Sequence, residues 1–151
     1  MDTQVLVPQL GFVSSQIAIQ TSGPRHFVDL TDDVQDRIGD SGLRSGLAVV
    51  TSLHTTASLL LNEHEPELLK DLDDFLARLA PEGDGYAHNA VPCLPGERPN
   101  GHAHCQALLL NASITLPFVD SRLALGRYQR LFLVELDCPR PRRVTVTLLG
   151  S

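Results

Sequence analysis

Gly46-Leu47-Ala48-Val49-Val50-Thr51-Ser52-Leu53 runs directly into His54-Thr55-Thr56-Ala57-Ser58, and Ser58-Leu59-Leu60-Leu61-Asn62-Glu63 follows with no spacer. The first run is short, apolar and rich in β-branched residues, which suits a buried strand better than a helix. The three consecutive leucines would suit either state. Strand is the better reading for Ser58 to Glu63, because Pro66 opens a much clearer helix almost at once. From Pro66 in the first turn, Leu68, Leu69, Leu72, Phe75, Leu76 and Leu79 recur at three- and four-residue steps. That spacing predicts an amphipathic helix over Glu65 to Leu79, with Asp71, Asp73 and Asp74 on or near its wet side.

Working outward, Gln16 to Thr21 alternates polar and apolar residues, the period of a strand with one buried face. Thr31-Asp32-Asp33 ahead of Val34 and Ile38 reads as a hydroxyl cap and a helix of about two turns, stopped by Gly39 and Gly42. Residues 81 to 101 hold eight prolines and glycines, so they form a loop of roughly twenty residues, a length more often functional than idle. Tyr86, His88 and Asn89 within it favour function. Asn100 can cap a helix running through His104, Ala107 and Leu108 to about Leu110, with Asn111 ending it. Ile114 to Val119 reads as a strand at an edge or bulge because of Pro117, and Asp120-Ser121 as a turn. Arg130 to Leu136 and the cleanly alternating Arg143 to Leu148 complete the strands. Strands dominate and no βαβ rhythm occurs, so the expected class is α+β, a mainly antiparallel two-layer sandwich with two or three inserted helices.

With 151 residues, 42% hydrophobic and 20% charged, the chain has the balance of one globular domain. Twelve Lys and Arg against eighteen Asp and Glu give a net charge of -6, a field that repels nucleic acid and anionic membranes. Met1 to Leu10 lacks the basic and apolar regions of a leader, and no stretch nears the ~20 apolar residues of a membrane span. The protein is expected to be cytoplasmic. Cys93, Cys105 and Cys138 are odd in number and unpaired in spacing, which fits reduced thiols.

His54 ends a buried strand among the hydroxyls of Thr55, Thr56 and Ser58, where amides and hydroxyls can orient an imidazole or bind an anion. His88 lies in the long loop. His102 and His104 sit two apart on a helix, about 200° around the axis, so only one of them, expected to be His104, can join His54 and His88. Three imidazoles with a carboxylate suit a divalent metal such as zinc, although the spacings do not match a zinc finger. Near the C-terminus, Glu135 and Asp137 share a strand face beside Arg140, Arg142 and Arg143. Guanidinium forks there can hold phosphate, or the acids and arginines can instead staple strands or subunits together. No phosphate loop, dinucleotide fingerprint, hydrolase elbow or H-E-x-x-H helix occurs.

Taken in order, His54-Thr-Thr-Ala-Ser-Leu with Asn62-Glu63, Tyr86-x-His88-Asn89, Asn100-x-x-Ala103-His104, Leu125-Gly126-x-Tyr128-Gln129 and Glu135-x-Asp137-x-Pro139-Arg140-x-Arg142 resemble the YjbQ-like family, also described as secondary thiamine phosphate synthases. The resemblance runs from about residue 10 to the C-terminus. It implies a β-rich sandwich assembling as a homotrimer, with motif residues around a pocket able to hold a divalent metal, zinc or magnesium. It also implies a weak coupling of hydroxymethylpyrimidine diphosphate with a thiazole phosphate to give thiamine phosphate. By motif, His54, His88 and His104 are the metal candidates, and Glu135, Asn62, Glu63 and Gln129 the catalytic candidates. Arg140, Arg142, Thr55 and Ser58 are the candidates for binding a small phosphorylated metabolite. His102 stands where the family commonly has an acid, Tyr128 replaces a tryptophan, Asn111-Ala112-Ser113 a glycine-serine turn, and Cys138 a glycine. The expectation is a small-molecule transferase or hydrolase. Its rival is a non-catalytic metabolite- or metal-binding protein of the same fold.

Overall fold

The computed structural model describes residues 9–83 and 85–151, so the reading of Met1 to Leu10 falls largely outside the described residues. The chain forms β1 (Gly11–Gln20), β2 (His26–Asp29), α1 (Thr31–Ser41), β3 (Gly46–Ser52), β4 (Ala57–Glu63) and α2 (Pro66–Leu79). A 3-10 turn (Ala87–Ala90) then precedes α3 (Gly101–Ala107), β5 (Ser113–Val119), β6 (Arg122–Leu123), β7 (Gln129–Glu135) and β8 (Pro141–Gly150). Every strand pairing is antiparallel. One sheet has the order β1-β8-β3-β5-β6, and the other the order β2-β7-β4.

The two sheets face each other across a core to which alternate residues contribute. Val144, Val146 and Leu148 of β8, Ala48 and Val50 of β3, and Leu131 and Leu133 of β7 lie buried in one cluster. The residues between them on β7, Phe132 and Val134, join Leu76 of α2 and Ala103 of α3 in a second cluster. Because β7 is covered on both faces, it reads as a continuous apolar run instead of an alternation. Each of its fully buried leucines and its phenylalanine stabilises the fold by ~1.5–3 kcal/mol. Val34 and Ile38 place α1 against the first cluster. Among the described residues no helix is long and apolar enough to cross a membrane.

Several local expectations change. Thr31 does not cap α1: its hydroxyl accepts the Leu131 amide of β7 at 2.9 Å, and Asp29 Oδ1 accepts the Thr31 amide instead. The helix passes Gly39, runs 11 residues and stops only at Gly42, whose φ of 74° is left-handed. Glu65 caps α2 by accepting the Glu67 and Leu68 amides. Phe75 and Leu79, expected on the apolar face, are 49% and 54% exposed. The third helix ends at Ala107, not Leu110, because Asn111 is drawn into an antiparallel bridge with Leu59. Pro117 is tolerated in β5 because its outer neighbour is the two-residue β6, reached through Asp120 and Ser121 at φ 49° and 59°. Those angles fit a tight hairpin turn.

The chain crosses between the sheets at one shared end of the sandwich. Gln20 pairs with Pro141 and Ser52 with Val144, while His26 and Ala57 both pair with Glu135. The crossings 21–25, 53–56 and 136–140 are therefore neighbours.

Candidate functional site

A single carboxylate ties these crossings together. Glu135, fully buried, accepts hydrogen bonds from the Thr21 hydroxyl (2.8 Å), the Asp137 amide (3.0 Å) and both Nε (2.6 Å) and Nη2 (2.5 Å) of Arg142. Arg142 also donates to the Thr56 hydroxyl at 3.2 Å. Backbone bonds run alongside, from Leu136 to the Thr56 carbonyl and from Thr21 to the Arg140 carbonyl. Two residues on, the buried Asp137 holds a second group. Arg98 Nε donates to its Oδ1 at 3.0 Å and Arg98 Nη2 to its backbone carbonyl at 2.8 Å, while Asn100 donates to Oδ2 at 3.1 Å. Arg140 Nη2 lies 2.9 Å from the same Oδ2 without hydrogen-bond alignment. Burial alone would raise the Asp137 carboxyl, but these hydrogen bonds and the charges of Arg140 and Arg98 outweigh it and hold it below the usual carboxylate range.

Above this floor opens a cavity of about 410 Å³. The β3–β4 crossing lines it with His54, Thr55 and Thr56, and the loop segment His88 to Pro99 lines it as well. Arg140, Arg142 and His104 complete it. The rings of His88 and His104 meet edge to face at 4.8 Å. His54 Nε2 accepts the Arg143 amide at 2.8 Å, which fixes its tautomer with the proton on Nδ1. Burial, then the charge of Arg142, pushes His54 below the ordinary histidine value, and burial followed by His88 does the same to His104. Both imidazoles are therefore biased to the neutral form. A pocket of neutral imidazoles and guanidinium groups presents hydrogen-bond donors suited to an oxyanion.

The sequence candidates divide sharply. The structure brings His54, Thr55, His88, His104, Arg140 and Arg142 to the cavity border. It does not bring Asn62, Glu63 and Gln129 there. Asn62 pairs with Arg130 and Glu63 with Gln129, five and six residues along β4 from Ala57, hence roughly 17–20 Å away at the strand rise. At that far end Asn62 Oδ1 accepts the Glu63 amide, and Gln129 Oε1 accepts the Gly126 amide. Ser58 is buried within β4 away from the cavity, and Glu135 lies beneath the floor with both oxygens committed. Ser58 therefore does not line the cavity, and Glu135 presents no free oxygen to a ligand. His102, on the opposite side of α3 from His104, is 1% exposed beside Tyr86. Arg98 and Asn100 are cavity residues to which sequence reasoning gave no site role, and Thr56, named there only among the hydroxyls beside His54, lines the cavity too. Arg98 carried no signal among the surrounding prolines and glycines, and Asn100 was read as a helix cap.

The three-histidine metal set is not assembled. Among the described residues no group of three His, Cys, Asp or Glu side chains is gathered to hold a metal ion. His54 has one ring nitrogen engaged by a backbone amide, and only His88 and His104 approach each other.

Two antiparallel sheets packed face to face, with α2 and α3 on the outer side of the smaller one and a basic cavity where the chain crosses between them, define a β-rich α+β sandwich protein. The sequence profile described as UPF0047 protein YjbQ-like matches residues 15–151, and the chain belongs to that family. It is 34% identical over 138 residues to a UPF0047 protein of Methanothermobacter thermautotrophicus, covering 91% of this chain and 92% of that one. It is 38% identical over 134 residues to a UPF0047 protein of Archaeoglobus fulgidus, covering 89% and 99%. The crystal structure of a YbjQ-like protein of unknown function from Sulfolobus solfataricus P2 superposes with a TM-score of 0.87 at 31% identity, covering 95% of this chain and all of that one. A hypothetical protein from Aeropyrum pernix K1 gives 0.84 at 34% identity, covering 92% and 99%.

Proposed function

We propose that this chain is a small-molecule transferase that binds a phosphorylated metabolite and carries a weak thiamine phosphate synthase activity. The observation that supports it is the meeting of His54, His104, Arg140 and Arg142 around one cavity. In the coupling, the thiazole nitrogen attacks the pyrimidine methylene carbon with its own lone pair. A C–N bond forms, the C–O bond to diphosphate breaks, and pyrophosphate leaves with the electron pair. No general base is needed, so the sequestration of Glu135 does not obstruct the step. What the departure needs is preorganised positive charge and hydrogen-bond donors around the leaving oxyanion. Arg140 supplies the charge, Glu135 holds Arg142 so that its outer edge can serve as a hydrogen-bond donor, and His104 donates to a phosphate oxygen. The homotrimer and the cytoplasmic setting belong to the same proposal, and light scattering of the purified protein checks the first.

A second reading, a metabolite-binding protein without turnover, is favoured by one feature: Glu135 and Asp137 at the floor are both buried and committed to arginines. The discriminating experiment supplies both substrates at saturation and follows thiamine phosphate by fluorescence after oxidation to thiochrome. Product formed by the wild type and lost about tenfold or more in His104→Ala and Arg140→Gln supports the enzyme. Saturable binding of the diphosphate without product establishes the binder, and the absence of both refutes the phosphate-cavity reading.

A further inference from the structure

We infer that Arg98, delivered by the loop over the cavity and aligned by Asp137, is an anion-binding residue of this site and determines its specificity for a diphosphate group. The inference rests on the reading of the cavity as a phosphate site and adds to it a residue from the loop that borders it.

Three guanidinium groups border the cavity, and they are not equivalent. Arg142 is 5% exposed in its side chain and matched one to one with Glu135 by two hydrogen bonds. Its charge is largely spent on the floor. Arg98 and Arg140 instead share a single carboxylate, Asp137, and remain 38% and 27% exposed. One carboxylate cannot neutralise two guanidinium groups, so this pair keeps an uncompensated positive charge at the cavity border. The other acids nearby, Glu82 at 3.2 Å from Arg98 Nη1 and Glu97 on the cavity rim, are exposed, where solvent screens them. Asp137 fixes the orientation of Arg98 through Nε and Nη2, as a positioning residue does. Arg140 comes from the β7–β8 crossing and Arg98 from the loop, and Asp137 holds the two guanidinium groups side by side at the cavity border, one on each carboxylate oxygen. A diphosphate, with oxyanions on two phosphorus atoms, can engage both forks, whereas a monophosphate reaches one fully.

Calorimetric titration of the intact protein with inorganic pyrophosphate, and separately with inorganic phosphate, tests the assignment. Arg98→Gln should weaken pyrophosphate about tenfold or more and phosphate much less. Arg122→Gln, which removes the same charge from exposed β6, should leave both unchanged. Footprinting the wild type with phenylglyoxal avoids any folding defect of the variant: pyrophosphate should protect Arg98 and leave Arg122 reactive. Equal pyrophosphate affinity in Arg98→Gln, or an Arg98 modified at the same rate with and without pyrophosphate, overturns the inference and leaves the cavity reading intact. A folded wild type that binds neither anion overturns both.

Discussion

Replacing Glu135 by glutamine perturbs the tie between the sheet crossings with almost no change in volume. The carboxylate accepts four hydrogen bonds, two on each oxygen: Oε1 from the Asp137 amide and Arg142 Nη2, Oε2 from the Thr21 hydroxyl and Arg142 Nε. A glutamine offers one accepting oxygen and turns an NH2 toward the other two groups; the Thr21 hydroxyl can rotate to accept it, but the guanidinium and amide donors cannot, so at least one of the four contacts, always one to Arg142, becomes donor against donor. Arg142, 5% exposed, would also keep its charge without a partner. Breaking a buried pair in this way costs ~3–5 kcal/mol, which for a chain of this size lowers Tm by roughly 6–20 °C. Urea unfolding followed by circular dichroism measures it. The double variant Glu135→Leu/Arg142→Met removes both charges together and should be more stable than Glu135→Gln alone. A Glu135→Gln protein within about 1 kcal/mol of wild type would refute the argument, since exposed pairs cost no more than that.

Two further outcomes follow from the same structure. His54, His102 and His104 are all held below the ordinary histidine value, with burial as the leading cause, so the unfolded chain takes up protons first as pH falls. Stability should be complete above about pH 6.5 and decline as pH drops from there toward the folded-state values; urea melts at about pH 7.5 and about pH 5.5 should differ less in His102→Gln than in wild type, and an identical difference would exclude His102 from the linkage. In Gly101→Ala, the added Cβ would stand 2.5 Å from Tyr86 Cβ and 3.0 Å from Asn89 Oδ1. Overpacking of this kind costs ~1–3 kcal/mol, enough to exceed the helix propensity of alanine, and limited proteolysis should show faster cleavage in the loop containing residues 86–99.

The strands were legible wherever one rule governed both faces. Val144, Val146 and Leu148 alternate because one side of β8 meets the core, and Val49 and Val50 mark β3 by their branching, with Ala48 and Val50 inward. Helix ends were harder, because Thr31 and Asn100 are good caps whose side chains are claimed by tertiary partners, the Leu131 amide and Asp137. For the site, polar character pointed to His54, His88, His104 and Arg140, while the family resemblance gave equal weight to Asn62 and Gln129, whose side chains are engaged by nearby backbone amides. Distance along an extended strand, not residue type, separates the two groups. Arg98 stayed hidden because nothing local distinguishes it from a solvated arginine; only its long-range partner, 39 residues away, gives it a role.

The attachment of the loop has an evolutionary side. Its cavity wall hangs from the sandwich at Asp137 through Arg98 and Asn100, while the floor is tied to the sheet crossings by Glu135. Substitutions between Val91 and Glu97 can thus reshape the cavity wall without touching the buried residues that hold the two sheets together, so the wall is free to vary while the architecture stays fixed.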